Sequence, residues 1–261
     1  MAFGPEVAAF RASLPVHVGL RRAPYTARRQ HAPESEKNEV RATIAGASDG
    51  APDAAVYFDR DTAARGEIER FIHSRFARAY GADLRTFLPG LLSLRDADGA
   101  LRAALGFAPA AGRRLYLERY LDTPIEAALG YAAHQSIARE EVMEVGNLAV
   151  TCAGGARLLL TALTAYLHSG DYRLAIFTAV PLLRNSFARL GIDLIEVAAA
   201  DPARLDRSER NAWGRYYERG ATVMAASVAQ SRAALMRALL AEAAVGPLHA
   251  LWRRAAELGG R

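Results

Sequence analysis

The stretch VMEVGNLAVTCAGGARLLLTALTAYL, Val142 to Leu167, is the part of this sequence on which the fold turns. Val142 to Val150 is strongly β-prone, and glycines at 154 and 155 then open a broad apolar run of Leu158, Leu159, Leu160, Leu163 and Leu167. That run predicts a helix from about Ala156 to His168, buried against a sheet. Downstream, Leu174 to Val180 is a near-continuous apolar strand, as a strand covered on both faces should be. Leu182 to Leu190 reads as a helix closed by Gly191, and Asp193 to Ala199 as a final strand. The alternation from 142 to 199 is βαβαβ, which requires a right-handed crossover between parallel strands.

Upstream, Ala54 to Phe58 reads as a short strand, and Asp61 or Thr62 can cap a helix carrying Ala64, Ile68, Phe71, Ile72, Phe76 and Ala79 on one face. Leu91 to Arg95 pairs across Asp96-Ala97-Asp98-Gly99 with Leu101 to Ala108 in a predicted hairpin. Leu115 to Leu121 reads as a further short strand and Pro124 to Ala133 as a short helix. Residues 1–53, with Pro5, Pro15, Pro24 and Pro33 and a polar run from Glu34 to Arg41, read as a partly ordered N-terminal extension to a domain over 54–200. Residues 201–261 hold the aromatic set Trp213, Tyr216 and Tyr217, then a long Ala-rich helix from about Thr222 to Ala244 packing on the same domain or on a second copy as a homodimer.

The chain has 261 residues, 51% of them hydrophobic, enough for a sizeable core. Lys37 is the only lysine among 33 basic residues, so the net charge of +5 reflects arginines spread along the helices. Such a charge can attract an acidic carrier protein, nucleotide phosphates or anionic lipid. No basic cluster with interleaved aromatics predicts nucleic-acid binding. The single cysteine, Cys152, excludes an intramolecular disulfide, and the six histidines have no metal-ligand spacing, so no metal is expected. No run of about 18 apolar residues occurs, and the reading is a cytoplasmic protein with no transmembrane segment.

The Thr151–Ala156 stretch, TCAGGA, lies where a strand hands over to a helix N-terminus, an anion site in outline. Glycines between a strand and a helix are more often plain turn residues. Glu144, on the preceding strand, is a carboxylate that burial could tune for proton transfer, or a structural carboxylate paired with an arginine such as Arg139. Asn147 has odd parity to Glu144, so the two share a cleft only if a bulge intervenes, and otherwise Asn147 caps the strand end. Glu118 and Arg119 sit on one predicted strand, so one should face the cleft and its substrate and the other solvent. Arg184 and Asn185 open a helix, where they touch a donor or cap the turn. Tyr216 and Tyr217 can place an acceptor or, for Tyr217, act as general acid, or can simply pack.

The order and spacing of these elements resemble the GNAT superfamily over roughly residues 55–200. Its pyrophosphate loop reads Gln or Arg, two residues, Gly, one residue, Gly or Ala; Gly154, Gly155 and Ala156 match the second half, while Thr151 departs from the first position. LRNSFARLGID, Leu183 to Asp193, resembles the second GNAT signature. The sequence is similar more closely to the thermostable hemolysin family. That likeness runs through IERFIHSRFARAYGADLRTFLP (68–89), LYLERYLDTPIE (115–126), EVGNLAV (144–150), FTAVPLLRNSFARLGI (177–192) and WGRYY (213–217). LYLERYL and EVGNLAV are similar, more distantly, to acyl-homoserine-lactone synthases. These resemblances imply an α/β (α+β) fold with a mixed, mainly antiparallel twisted sheet flanked by helices, and a C-terminal helical extension. The strands 142–150 and 174–180 would be parallel neighbours that splay apart. They imply N-acyl transfer from an acyl thioester to a small amine, the donor being coenzyme A or the phosphopantetheine of an acyl carrier protein, with Glu144 the leading candidate for the general base. Leu148, Val150, Thr151, Gly154, Gly155, Ala156, Arg184 and Asn185 would hold that donor. The missing Gln or Arg at 151 tilts the expectation toward the carrier protein. The hemolysin name implies a second reading, a membrane-active protein whose helix from Thr222 lies on a bilayer.

Overall fold

The computed structural model describes residues 55–59, 64–96, 98–151, 155–240, 255, 256 and 259. The predicted extension over 1–53, the caps at Asp61 or Thr62, Cys152, Gly154 and the end of the predicted C-terminal helix lie outside the described residues.

The strands are β1 (Ala55–Asp59), β2 (Gly90–Arg95), β3 (Leu101–Pro109), β4 (Val142–Val150), β5 (Leu174–Ala179), β6 (Leu194–Ala199) and β7 (Thr222–Ser227). The helices are α1 (Arg65–Tyr80), α2 (Ile125–Ala133), α3 (Gly155–Ser169), α4 (Pro181–Arg189), α5 (Arg207–Ala212) and α6 (Val228–Leu240). All seven strands form one sheet in the order β1-β2-β3-β4-β5-β7-β6. Only β4 and β5 are parallel; every other neighbouring pair is antiparallel. The alternation of side chains along a strand sends two apolar sets to opposite faces. Leu92, Leu105, Met143, Phe177 and Met224 pack with α3 and α6, and Leu91, Ala104, Val142, Ile176 and Val223 with α1 and α2.

The hairpin and the helix–strand alternation from 142 to 199 form as the apolar spacing predicts, with α1 starting at Arg65. Two segments differ. Leu115 to Leu121 is no strand: Tyr116–Tyr120 is a 3-10 turn. Both edges of β3 are already taken by β2 and β4, and Glu118 curls the segment by accepting the backbone N–H groups of Leu115 (2.8 Å) and Ile125 (3.0 Å). The expected long helix from Thr222 begins instead as β7, which pairs along its length with β5 and with β6, and the helix proper starts at Val228. Alanine's helix propensity, a fraction of a kcal/mol per residue, yields to ladder bonds on both sides. The insertion of β7 also separates β5 from β6, so the βαβαβ sequence yields one parallel pair, and Leu194–Ala199 is the sheet's edge. The membrane-surface reading loses the first six residues, 222–227, of the helix it rested on.

Candidate functional site

The site is built on the divergence of β4 and β5. They pair only at Val142↔Leu174, Met143↔Ala175 and Glu144↔Ile176; beyond Glu144, β4 follows β3 and β5 follows β7. The departure coincides with a bulge on β4. Its register to β3 shifts between Gly106↔Gly146 and Ala104↔Ala149, so β4 carries an extra residue there. Asn147 sits in the bulge with φ +55°, a left-handed conformation that asparagine tolerates better than most residues. The extra residue undoes strict alternation. Asn147 Oδ1 accepts the N–H of Leu88 (3.3 Å), and a Cβ placed on Gly146 would also meet Leu88, 3.3 Å away. Asn147 therefore turns to the face that Glu144 occupies, as the parity argument requires of a bulge.

The gap opens a cleft of about 630 Å³. Its wall on the α3 side is apolar, with Leu148, Leu160, Leu163, Phe177, Phe187 and Leu190. On the α1 side it is aromatic and polar, with Tyr80, Tyr116, Tyr120, Trp213 and Tyr216 around Glu144. Gly214 makes this second wall possible. It has φ +56°, and a Cβ there would strike the Tyr80 carbonyl and the Gly81 backbone, so only glycine lets the 213–217 segment cross the end of α1. Two backbone bonds fix that crossing, Asp83 N–H to Ala212 O (2.7 Å) and Arg215 N–H to Tyr80 O (2.9 Å).

Glu144 is 3% exposed, and its carboxylate accepts the backbone N–H groups of Tyr116 (3.0 Å) and Leu117 (3.1 Å). Burial outweighs those two donors and pushes its pKa up to about 7, with the nearby Glu118 charge adding to the rise. The expected alternative, a pair with Arg139, does not form. Arg139 binds Glu118 and Glu126 instead.

The other predicted residues fall into two groups. Asn147, Leu148, Val150 and Ala156 line the cleft with Glu144. Thr151 turns its hydroxyl onto the Arg102 carbonyl (2.9 Å), and Gly155 is buried at the start of α3. Arg184 and Asn185 are not among the residues of this segment that line the cleft, which are Leu182, Leu183, Ser186, Phe187, Arg189 and Leu190; Arg184 reaches Glu196 at 3.7 Å and Asn185 is exposed. Glu118 and Arg119 do not flank a strand. Glu118 is buried against Arg139, and Arg119 is paired with Glu209 at the surface and lies 4.7 Å from the Tyr116 ring. Tyr217 stands behind the cleft wall with its hydroxyl on that of Tyr120, and burial raises its pKa. Tyr216 lines the cleft and meets the Thr178 hydroxyl at 2.9 Å, with burial pushing its pKa up to about 12. The sequence offered no signal for Tyr116, whose hydroxyl accepts from Trp213 Nε1 (2.8 Å) and whose backbone N–H binds Glu144. Among the described residues, no three His, Cys, Asp or Glu side chains gather as a metal site. No described helix is long and apolar enough to cross a membrane.

FeeM, an N-acyl amino acid synthase from uncultured soil microbes, superposes with a TM-score of 0.51 at 16% identity, covering 73% of this chain and 99% of that one. TofI, solved with an inhibitor and MTA, gives 0.49 at 18% identity over 69% of this chain and 96% of its own. The CoA-dependent acyl-homoserine lactone synthase BjaI gives 0.48 at 10% over 71% and 89%. No curated sequence matches this one. The FeeM likeness shows a shared GNAT-like fold, in agreement with the mixed sheet split at β4 and β5. The family model described as thermostable hemolysin matches residues 58–232, and the chain belongs to the thermostable hemolysin family.

Proposed function

We propose that this protein is an N-acyltransferase that moves an acyl group from a thioester to a small amine, with Glu144 as the base that takes the amine proton. The observation that carries the reading is the position of Glu144: a buried carboxylate with pKa near 7, at the point where β4 and β5 part and face one cleft. A base with that pKa is half ionised at neutral pH and can take a proton in the transition state. The unpaired edge of β4 beyond Glu144, at Leu148 and Val150, offers main-chain groups along which a pantetheine arm can lie as an added strand. The apolar wall from Leu160 to Leu190 suits the acyl chain, and the aromatic wall suits the acceptor. FeeM, which shares the fold, joins an acyl group to an amino acid, the same bond type. Asn147 lines the cleft beside Glu144 and holds Leu88; Tyr216 is better placed than Tyr217 to touch the acceptor.

Between the two donors, the carrier protein is favoured. The Thr151 hydroxyl is spent on the Arg102 carbonyl and so is not offered to a coenzyme pyrophosphate. A carrier protein carries one phosphate and gains affinity from its acidic surface, which the net charge of +5 complements. The test is mass spectrometry of wild type and Glu144→Gln incubated with acyl-carrier protein or acyl-coenzyme A and a panel of amines. Wild type should form an amide, and Glu144→Gln should retain donor binding while losing about 10²- to 10⁴-fold in turnover. Absence of any acyl amide from wild type would overturn the activity.

A further inference from the structure

We propose that Glu118 and Arg139 are positioning residues for Glu144, clamping the Tyr116–Tyr120 turn so that its first two backbone N–H groups meet the Glu144 carboxylate. The inference rests on the reading of Glu144 as a base.

A carboxylate has about four acceptor sites, and Glu118 fills all of them. One oxygen accepts Leu115 N–H (2.8 Å) and Arg139 Nη2 (2.9 Å); the other accepts Ile125 N–H (3.0 Å) and Arg139 Nη1 (2.8 Å). Nothing remains for a substrate. The arginine is equally committed. Its Nε donates to Ala110 O (3.0 Å), Nη1 also to Glu126 (2.7 Å) and Nη2 also to Arg113 O (2.6 Å), which uses all five guanidinium N–H groups. One side chain thus ties the end of β3, the loop after it, the turn and α2 to the residue three positions before β4 begins.

Those ties decide what Glu144 feels. The turn lies between Leu115 and Ile125, the two residues whose amides Glu118 holds, and it presents Tyr116 and Leu117 N–H to Glu144 from outside the sheet. Apart from the clamp, the turn is tied by the 3-10 bond Leu121 N–H to Glu118 O (3.3 Å) and on its outer side by Trp213, Glu209, Tyr217 and Arg204, which hold Tyr116, Arg119 and Tyr120; the clamp is what holds the backbone amides on either side of it. Charge-assisted bonds to a bidentate fork resist such opening more strongly than neutral bonds do. The direction of Glu118's own pKa agrees: the Arg139 bonds, first, hold it down to about 2. The charged groups acting on Glu144 are Glu118 and Arg113 from the turn and its preceding loop; the same cleft is lined by Tyr80 from α1, Tyr116 and Tyr120 from the turn, Tyr216 from the 213–217 segment, and the charged Arg85, Arg157, Arg189 and Glu209.

The test needs no substrate, so its outcome is separate from that of the acyltransferase assay. The full-length protein is labelled with ¹³C at glutamate side-chain carboxyls, and the Glu144 signal is identified by its loss in Glu144→Gln. The signal is then titrated in wild type, Arg139→Lys, Glu118→Gln and Glu126→Gln. Glu126 touches the same guanidinium from α2, so its variant weakens the network without releasing Leu115 or Ile125. Glu118→Gln removes a like charge, which lowers the Glu144 pKa, and also loosens the two amide donors, which raises it, so the titration is decided by Arg139→Lys, which keeps the Glu118 charge but has three donors for the five bonds. In Arg139→Lys the Glu144 pKa should rise by ~1 unit as the donors that favour its charged form are lost. Hydrogen exchange at the Tyr116 and Leu117 amides should accelerate at least about tenfold in both variants. Glu126→Gln should leave both near wild type. If Arg139→Lys does not fold, exchange in Glu118→Gln carries the test. A folded Arg139→Lys whose Glu144 titrates as in wild type, or an equal shift in Glu126→Gln, would overturn the proposal.

Discussion

Glu144 and Glu118 are both buried glutamates, yet they respond to pH in opposite ways. Glu118 has a folded pKa near 2 against an ordinary value of 4.5, so its contribution is present above pH 4.5 and is lost as pH falls toward 2. Glu144 has a folded pKa near 7, so the native state binds its proton more tightly than the unfolded chain does. Its contribution is present below pH 4.5 and is lost as pH rises to 7. The span of about 2.5 units amounts to roughly 3 kcal/mol. Urea unfolding should therefore show wild type losing stability between about pH 4.5 and 7, with Glu144→Gln lacking most of that loss. An equal slope in the variant would show that Glu144 titrates normally. In the sequence the candidate base could be placed, because a carboxylate on a strand before a glycine loop is visible there. Its partner could not: Arg139 was the nearest arginine, and only the turn over 116–120 shows why it serves Glu118 instead.

At the scale of the element, the β4 bulge is the device that brings Asn147 to the Glu144 face, and Gly106 on β3 makes room for it. A Cβ on Gly106 would come within 2.9 Å of both Asn147 Oδ1 and Leu88 Cβ, so neither neighbour can retreat independently. Gly106→Ala should cost about 1 to 3 kcal/mol in denaturant unfolding, as overpacking does. Amide exchange at Leu88 should quicken as its bond to Asn147 weakens. Unchanged stability would mean that the bulge absorbs the methyl without strain. The loop before β2 is the element at stake, since Arg65 from α1 holds its Leu88 and Pro89 carbonyls at 3.1 and 2.7 Å while Asn147 holds its amide. Helices α1, α3 and α4 were legible from apolar spacing. The 115–121 segment was not, because its short apolar and aromatic pattern fits a strand as well as a turn, and only Glu118's long-range bonds decide between them.

For the whole molecule, the cleft passes between the two apolar layers, and under the proposed activity its α3 wall would set how long an acyl chain it admits. Leu160 is half-buried on that wall, so Leu160→Trp should fold while lowering kcat/KM for long-chain donors by at least about tenfold and sparing short ones. Uniform loss across chain lengths would place the acyl group elsewhere. The net charge of +5 bears on donor choice at this same scale. Turnover with acyl-carrier protein should fall steeply as salt passes about 0.1 M, where the Debye length nears ~10 Å, while acyl-coenzyme A turnover changes less. Equal, salt-indifferent turnover would remove the carrier preference. By itself the sequence determined the strand–loop–helix unit at 142–167, the hairpin and α1, because local periodicity and glycine placement are properties of neighbouring residues. The tertiary structure decided the rest. Thr222 to Ser227 became a strand because β5 and β6 each offered an open edge, and Asn147 turned toward Glu144 because β3 and β4 slip by one residue. Glu118 became a clamp because Arg139 reaches it across the loop. Each of these outcomes depends on groups distant in sequence, where register and packing outweigh local propensity.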